Sequence, residues 1–250
     1  MEKEPRYIQI LHILEKELRS LPPNSLLLTE NQLAEKFDVS RITIRRALGL
    51  LQGNGRISRR PGRGTIVQPP KILRHILPVT TIEEDMQGQG LKLETEVLSY
   101  NAEVRPPSDI RKRLQLPRNT LTGVLTLKRV VQPRTICFEK RFFPPDLASR
   151  FDPGLTSEKP VTDILQEMAG MPIIENTWQM QIIPAGAEVA KALGIIPGVL
   201  TLVNDSTMFF ENGSPALVAM VFYPVDRVNF EFSAAQGRPS LLLGKTWRKK

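Results

Sequence analysis

The segment that decides the fold covers residues 39–75 and reads VSRITIRRALGLLQGNGRISRRPGRGTIVQPPKILRH. It contains nine basic residues and no acidic residue. Such a segment repels itself unless an anion neutralises it, and a nucleic-acid backbone does so while releasing counterions. A solvated basic face is the common alternative, so the spacing of the residues has to decide between the two.

The segment begins with a predicted helix that Ser40 caps and that runs to about Gln52. One apolar row faces inward, at Ile44, Ala47, Leu48 and Leu51. The residues left outward are Arg41, Thr43, Arg45 and Arg46. Most of them lie near the amino-terminal end, where free backbone N–H groups and the helix dipole favour a phosphate.

Two further helices are predicted upstream. The first covers residues 5–20, where apolar residues recur in steps of three and four, and LPPNS at 21–25 ends it. The second covers residues 30–37, with Thr29 as its cap and Gln32 at the capping-box position. Downstream, residues 56–60 and 65–67 read as two strands joined by a glycine-rich, arginine-bearing turn. Three helices followed by a basic hairpin form a winged helix-turn-helix, whose last helix enters the major groove.

Three stretches carry a resemblance to a known family: LTENQLA at 28–34, VSRITIRRAL at 39–48 and GRGTIV at 62–67. Together they resemble the DNA-binding domain of GntR-type repressors over nearly all of residues 5–67. The resemblance implies operator contact through the residues of the third helix and the wing tip. The predicted DNA-binding set is Thr29, Asn31, Ser40, Arg41, Thr43, Arg45, Arg46, Arg60, Gly62, Arg63 and Gly64. Asn31 stands where the family often has a basic residue, and Thr29 and Ser40 are also explained as helix caps alone.

The pattern changes after the proline pair at 69–70. We assign residues 1–68 to the winged helix domain, 69–76 to a linker, 77–236 to a second domain, and 237–250 to a tail. Alternating runs in the third of these, such as residues 91–101 and 121–131, predict half-buried strands. A capped helix is expected over residues 80–86, and short helices are expected over residues 108–114, 161–169 and 187–193. Ile72 to Leu77 is a further candidate strand.

A faint internal repeat of about 79 residues relates residues 107–144 to residues 184–224. Each copy reads helix, strand, hairpin, strand. Such hairpin-rich halves predict one antiparallel sheet with helices beside it, and so an α+β fold class. A cleft between duplicated halves is a natural place for a small ligand.

This second part resembles the UTRA effector domain of the HutC subfamily, which has a chorismate-lyase-like fold. The matching stretches are TIEEDM at 81–86, Arg129 with Glu139, AKALGI at 190–195 and YPVDR at 223–227. The resemblance implies a small effector held by Arg129, Glu139 and Tyr223. Pairing of Arg129 with Glu139 across a hairpin is an equally simple reading, and we expect Trp178 and Phe222 in the core.

Two departures from the family bear on the effector. Leu127 stands where sugar-phosphate-responsive members have a second arginine, and Leu217 stands where an acidic residue is common. Leucines in these places disfavour a phosphate dianion, because a buried charge needs partners. We expect a more apolar effector, or a carboxylate held by one arginine.

Composition narrows the class of protein. The chain has 250 residues, a net charge of +8, one cysteine and two histidines, so we expect no disulfide framework, metal site or cofactor. No apolar run reaches the length of a membrane span, and the first residues do not resemble a signal peptide, which predicts a cytoplasmic protein. We expect a transcriptional repressor that binds a palindromic operator as a homodimer. The alternatives are an enzyme, for which no nucleophile–base set is present, and a nucleoid protein without an effector.

Overall fold

A computed structural model describes residues 4–60, 62, 64–75 and 81–231, and of Arg60 it describes the backbone alone. The chain divides into two compact units. Of the described residues, the first unit holds those up to Ile72 together with Val225–Arg227, and the second holds Leu73–Pro224 and Val228–Glu231. The boundary between the units falls at a short strand, Ile72–His75, and the tail proposed at 237–250 lies outside the described residues.

The first unit contains three helices followed by a two-stranded antiparallel hairpin. The elements are α1 Arg6–Ser20, α2 Glu30–Phe37, α3 Arg41–Gly53, β1 Ile57–Arg60 and β2 Gly64–Val67. The inward row of α3 packs against α1 in one apolar cluster, as the periodicity predicts. This cluster includes Leu14, Leu33, Ile44 and Leu48, all almost completely buried. The predicted winged helix-turn-helix is confirmed.

Caps begin the second and third helices as predicted. The Thr29 hydroxyl accepts from the backbone N–H of Gln32 at 3.4 Å, and the Gln32 side chain accepts from the Thr29 N–H at 2.9 Å. Ser40 Oγ accepts from the Thr43 N–H at 3.3 Å. Asp38 ends α2 in the left-handed region, with φ 50°, and so makes the tight turn between the two helices.

The second unit is built on a six-stranded antiparallel sheet with the order β4-β5-β6-β9-β8-β7. Its strands are β4 Glu94–Val104, β5 Thr122–Val131, β6 Arg134–Phe143, β7 Ile173–Pro184, β8 Leu200–Phe210 and β9 Pro215–Pro224. Its helices are α4 Ile82–Gly88, α5 Ser108–Arg113, α6 Pro145–Ala148, α7 Val161–Ala169 and α8 Ala187–Leu193, with a 3₁₀ helix at Pro153–Ser157. A separate two-stranded sheet pairs β3, Ile72–His75, with β10, Val228–Glu231.

The internal repeat is longer than the sequence pattern indicates. Helices α4 and α7, strands β4 and β7, and helices α5 and α8 each begin 79 residues apart. The strand order places β6 beside β9 at the centre and leaves β4 and β7 at the two edges. The two halves thus form one sheet, and the predicted α+β class with an antiparallel sheet is confirmed.

The helices cover both faces of this sheet. On one face, α6 and α7 pack over an apolar cluster that contains Leu125, Leu127 and Leu217. On the other face, α8 packs over Phe138 and Phe222, whose rings lie 5.9 Å apart. Phe222 is therefore a core residue, as expected.

Candidate functional site

The amino-terminal end of α3 is exposed. Ser40, Arg41 and Arg45 lie at the surface, and Ser40 Oγ lies 2.9 Å from Thr43 Oγ1. Ile42 stands between them with 77% of its surface exposed, which is unusual for a large apolar residue. This end combines free backbone N–H groups, hydroxyls, guanidinium groups and one apolar side chain. These are the groups with which helices bind phosphates and read bases in the major groove.

Glu30 of α2 links the amino-terminal end of α3 to the hairpin through two ion pairs. Arg45 Nη2 donates to Glu30 Oε2 at 3.0 Å, and Arg59 of β1 pairs with the other carboxylate oxygen. The hydrogen bond from Arg45 is the main cause that lowers the pKa of Glu30. The carboxylate therefore stays charged at neutral pH and orients one arginine from the helix and one from the hairpin.

The remaining predicted DNA contacts occupy different environments. Thr29 and Asn31 are exposed at the start of α2. Arg46 lies over the Tyr7 ring, with its guanidinium carbon 4.1 Å from the ring centroid, so α1 holds it. Gly62 and Gly64, at the hairpin turn, have φ of 75° and 80°, a region that favours glycine. Arg63 and the Arg60 side chain lie outside the described residues.

A cavity of about 720 Å³ lies on one face of the second unit's sheet. The first turns of α4 and α7 line it, together with side chains of all the sheet strands except β4. Arg129, Glu139 and Tyr223 all line it, so the structure brings the three predicted effector residues together.

Arg129 is buried and already paired. Its Nε donates to Glu139 Oε1 at 3.0 Å, and its Nη1 lies 2.9 Å from Glu83 Oε1 of α4. Arg141 holds the second oxygen of Glu139, with Nη2 at 2.6 Å. Burial opposes ionisation of Glu139, but Arg141 and Arg129 outweigh it and lower its pKa to about 2. The pair across the hairpin is formed, and it lies at the cavity wall.

Tyr223 lies beside a second ion pair. Arg74 of β3 pairs with Asp85 of α4, and Asp85 Oδ1 lies 2.8 Å from His75 Nδ1. Burial raises the pKa of Tyr223 despite the neighbouring Arg74 cation, so its hydroxyl stays protonated. Burial likewise raises the pKa of the Cys137 thiol, which lies 3.6 Å from Glu139 Oε1. Cys137 is therefore a neutral packing group.

Several residues of the cavity wall were not predicted from the sequence. Trp178 lines the cavity, so the expectation that it lies in the core was wrong. Asn176 of β7 and Asn204 of β8 also line it. The repeat could have indicated α4 and α7 as equivalent walls, but nothing in their local sequence singles out the two asparagines. On the DNA-binding face, Glu30, Ile42 and Arg59 were missed.

Within the described ranges, no helix is long and apolar enough to cross a membrane, and no group of three or more His, Cys, Asp and Glu could hold a metal ion.

Comparisons with known proteins agree with both units. Residues 6–67 match the family of bacterial regulatory proteins called the gntR family, and residues 88–229 match the UTRA domain. The HTH-type transcriptional regulator YurK of Bacillus subtilis is 31% identical over 92% of this chain and 96% of its own length. The HTH-type transcriptional repressor NagR of the same organism is 26% identical over 90% of this chain and 93% of its own length.

The crystal structure of PhnF from Mycobacterium smegmatis shares the fold, with a TM-score of 0.60 at 21% identity, over 91% of this chain and 99% of that one. The family rests on the domain matches and on the relative above 30% identity, and its members are regulators rather than enzymes. The chain belongs to the GntR family of bacterial transcriptional regulators, with a winged helix that binds DNA and a UTRA domain that binds a small-molecule effector.

Proposed function

We propose that this regulator is a repressor that binds its operator with the amino-terminal end of α3 and the β1–β2 turn. We further propose that a molecule in the 720 Å³ cavity controls the affinity of the protein for the operator. The observation that carries the proposal is the exposed row at the start of α3, within a segment that has no acidic residue. The repressor assignment draws on NagR, which is named as one.

Each group in this row suits a different part of the duplex. Arg45 suits the O6 and N7 acceptors of guanine, because a guanidinium can donate two parallel hydrogen bonds. The exposed Ile42 side chain suits a thymine methyl group. Arg41 and the Ser40–Thr43 pair lie at the helix start, which suits a phosphate.

We further propose a homodimer in the cytoplasm, where the DNA of a bacterium lies. One winged helix covers only a few base pairs, so two copies on a palindromic site are needed for specificity. Strand β7 supports this assembly, because it is an edge strand that exposes Ile182 by 62% and Ile174 by 67%. Exposed apolar edge strands favour pairing with a second chain.

The DNA contact is tested with Arg45→Ala. The operator is first selected from a random duplex library with the wild-type protein, and affinity is then measured by fluorescence anisotropy. We expect the variant to lose about 1–3 kcal/mol of binding free energy and to relax selection at one base position. Glu30 keeps Arg59 as a partner in this variant, which limits the effect on folding.

Arg19→Ala is the matched control, since Arg19 is an exposed arginine in the last turn of α1. It removes the same charge outside the proposed contact face. Equal affinity of wild type and Arg45→Ala, with unchanged base preference, would show that Arg45 does not read the operator.

A further inference from the structure

The charges around the cavity do not suit an anion. Among the described residues, five carboxylates and three guanidinium groups line it. The carboxylates are Glu83, Glu84, Glu139, Asp163 and Glu175, and the guanidinium groups are Arg74, Arg129 and Arg141. A phosphate dianion placed here would face an excess of negative charge.

Each arginine in the described part of the wall already pairs with a carboxylate. Arg74 pairs with Asp85, Arg129 pairs with Glu139 and Glu83, and Arg141 pairs with Glu139. A ligand phosphate that displaced one of these carboxylates would leave it buried and uncompensated, which is costly. In the described part of the wall, every guanidinium group is therefore paired with a carboxylate, and Arg74 Nε is a buried donor without a hydrogen-bond partner.

The wall instead offers hydrogen-bond acceptors. The Oδ1 atoms of Asn176 and Asn204 are buried and have no hydrogen-bond partner among the described residues. Both residues lie on the neighbouring strands β7 and β8, with Asn176 opposite Met208 and Asn204 opposite Met180. Buried carbonyl oxygens are nearly always satisfied in folded proteins, so these two are suited to donors from a bound molecule.

Aromatic and acidic groups near these oxygens favour a positively charged ligand. Trp178 lies between the asparagine positions on the same wall, and an indole face attracts cations. Glu175 and Asp163 lie on the wall at the starts of β7 and α7. Leu127 and Leu217 lie in the apolar cluster under α6 and α7, so neither contributes a charge.

We infer that the cavity takes a small hydroxylated amine without a phosphate group. Its hydroxyl and ammonium donors bind the Oδ1 atoms of Asn176 and Asn204, and its positive charge lies against the acidic wall. This inference rests on the proposed function, because it names the chemical class of the effector that the UTRA unit binds.

The test compares three compounds that share one hexose ring: glucosamine, glucose and glucose 6-phosphate. The full-length protein is titrated with each, and the rise in Tm and the change in affinity for the selected operator are recorded. We expect glucosamine to raise Tm most, glucose less, and glucose 6-phosphate least.

Two substitutions locate the site. Asn204→Leu keeps the branching and the number of heavy atoms of the side chain and removes the acceptor, and we expect glucosamine to bind it about tenfold more weakly. Asn204→Asp keeps an acceptor and adds a negative charge, so it should bind glucosamine at least as tightly as wild type and glucose 6-phosphate more weakly. Asn119→Leu, at an exposed turn, is the control. If Asn204→Leu does not fold, Asn204→Asp and Asn176→Asp carry the comparison.

The outcomes separate this inference from the proposed function. A strongest response to glucose 6-phosphate overturns the inference, and the proposed function stands if that compound also changes operator affinity. No response to any of the three also overturns the inference. If hexoses raise Tm in the expected order and operator affinity never changes, the inference stands and the control of DNA binding fails.

Discussion

Glu139 carries a charge in the apolar interior because two guanidinium groups hold it. Arg129 and Arg141 each take one carboxylate oxygen, and the carboxylate side chain is only 2% exposed. Removing one partner of such a group leaves a buried charge uncompensated, at a cost of about 3–5 kcal/mol. Arg129→Ala is for this reason a poor probe of effector binding, since it would destabilise the unit that it is meant to test.

The Glu139 charge makes the free energy of unfolding depend on pH. Its pKa is about 2 in the folded chain and 4.5 in its ordinary state, so the ionised form favours folding. This contribution is complete above about pH 4.5 and is lost as the pH falls towards about 2. We expect Glu139→Gln to lower the free energy of unfolding of the second unit by about 3 kcal/mol at pH 7, and by much less at pH 3.

Urea unfolding at the two pH values measures both differences. Glu103→Gln is the control, because Glu103 is exposed on β4. If Glu139→Gln were equally destabilising at pH 7 and pH 3, packing of the side chain rather than its charge would explain the loss.

At the scale of elements, caps and periodicity predict boundaries well. Helices α2, α7 and α8 begin and end at the predicted residues, since apolar spacing and end signals such as the Thr29 cap and Gly194 mark their limits. Strand β4 is shifted three residues from its prediction, to Glu94–Val104, because pairing with β5 sets its register. Local pattern cannot show where a partner strand ends.

Two glycines of the first unit should respond in opposite ways to alanine. Gly64 begins β2 with φ 80°, and an added Cβ would lie 3.3 Å from Leu26 Cδ2. Gly49 lies inside α3 with ordinary helical geometry and no atom near an added Cβ. We expect Gly64→Ala to lower the free energy of unfolding by about 1–2 kcal/mol and Gly49→Ala to raise it by about 0.5–1 kcal/mol.

Thermal unfolding of the two variants measures this contrast, and each serves as the control for the other. Operator affinity gives a second measurement, since Gly64→Ala displaces the hairpin turn and should weaken binding while Gly49→Ala should not. Equal stability of both variants would contradict the strained backbone at Gly64.

At the scale of the whole molecule, the proposed homodimer is testable by mass. Sedimentation should give twice the 28.2 kDa of the chain. We expect Ile182→Asp to raise the dissociation constant of the dimer about tenfold or more, because burying an exposed isoleucine contributes roughly 1.5–3 kcal/mol. The control is Gln181→Asp, which adds the same charge at the next exposed position of β7.

A monomer at all concentrations would contradict the dimer. A dimer with equal stability in both variants would keep the assembly and move its interface away from this part of β7. Both results leave the assignment of the DNA-binding face unchanged, since that assignment rests on α3 and the hairpin.

The sequence alone determined the winged helix, the outward arginines of α3 and the α+β class, and it predicted Arg129, Glu139 and Tyr223 as the effector residues. These follow from short-range signals, namely caps, apolar periods and local charge, and from the resemblance of ordered motifs to a family. Only the tertiary structure decided that Glu30 joins Arg45 to Arg59, that Arg129 is neutralised, and that Asn176 and Asn204 line a cavity with α4 and α7. These arrangements join residues 10 to more than 100 positions apart, and strand register and helix packing bring them together. A local sequence pattern does not show which residues this far apart come into contact.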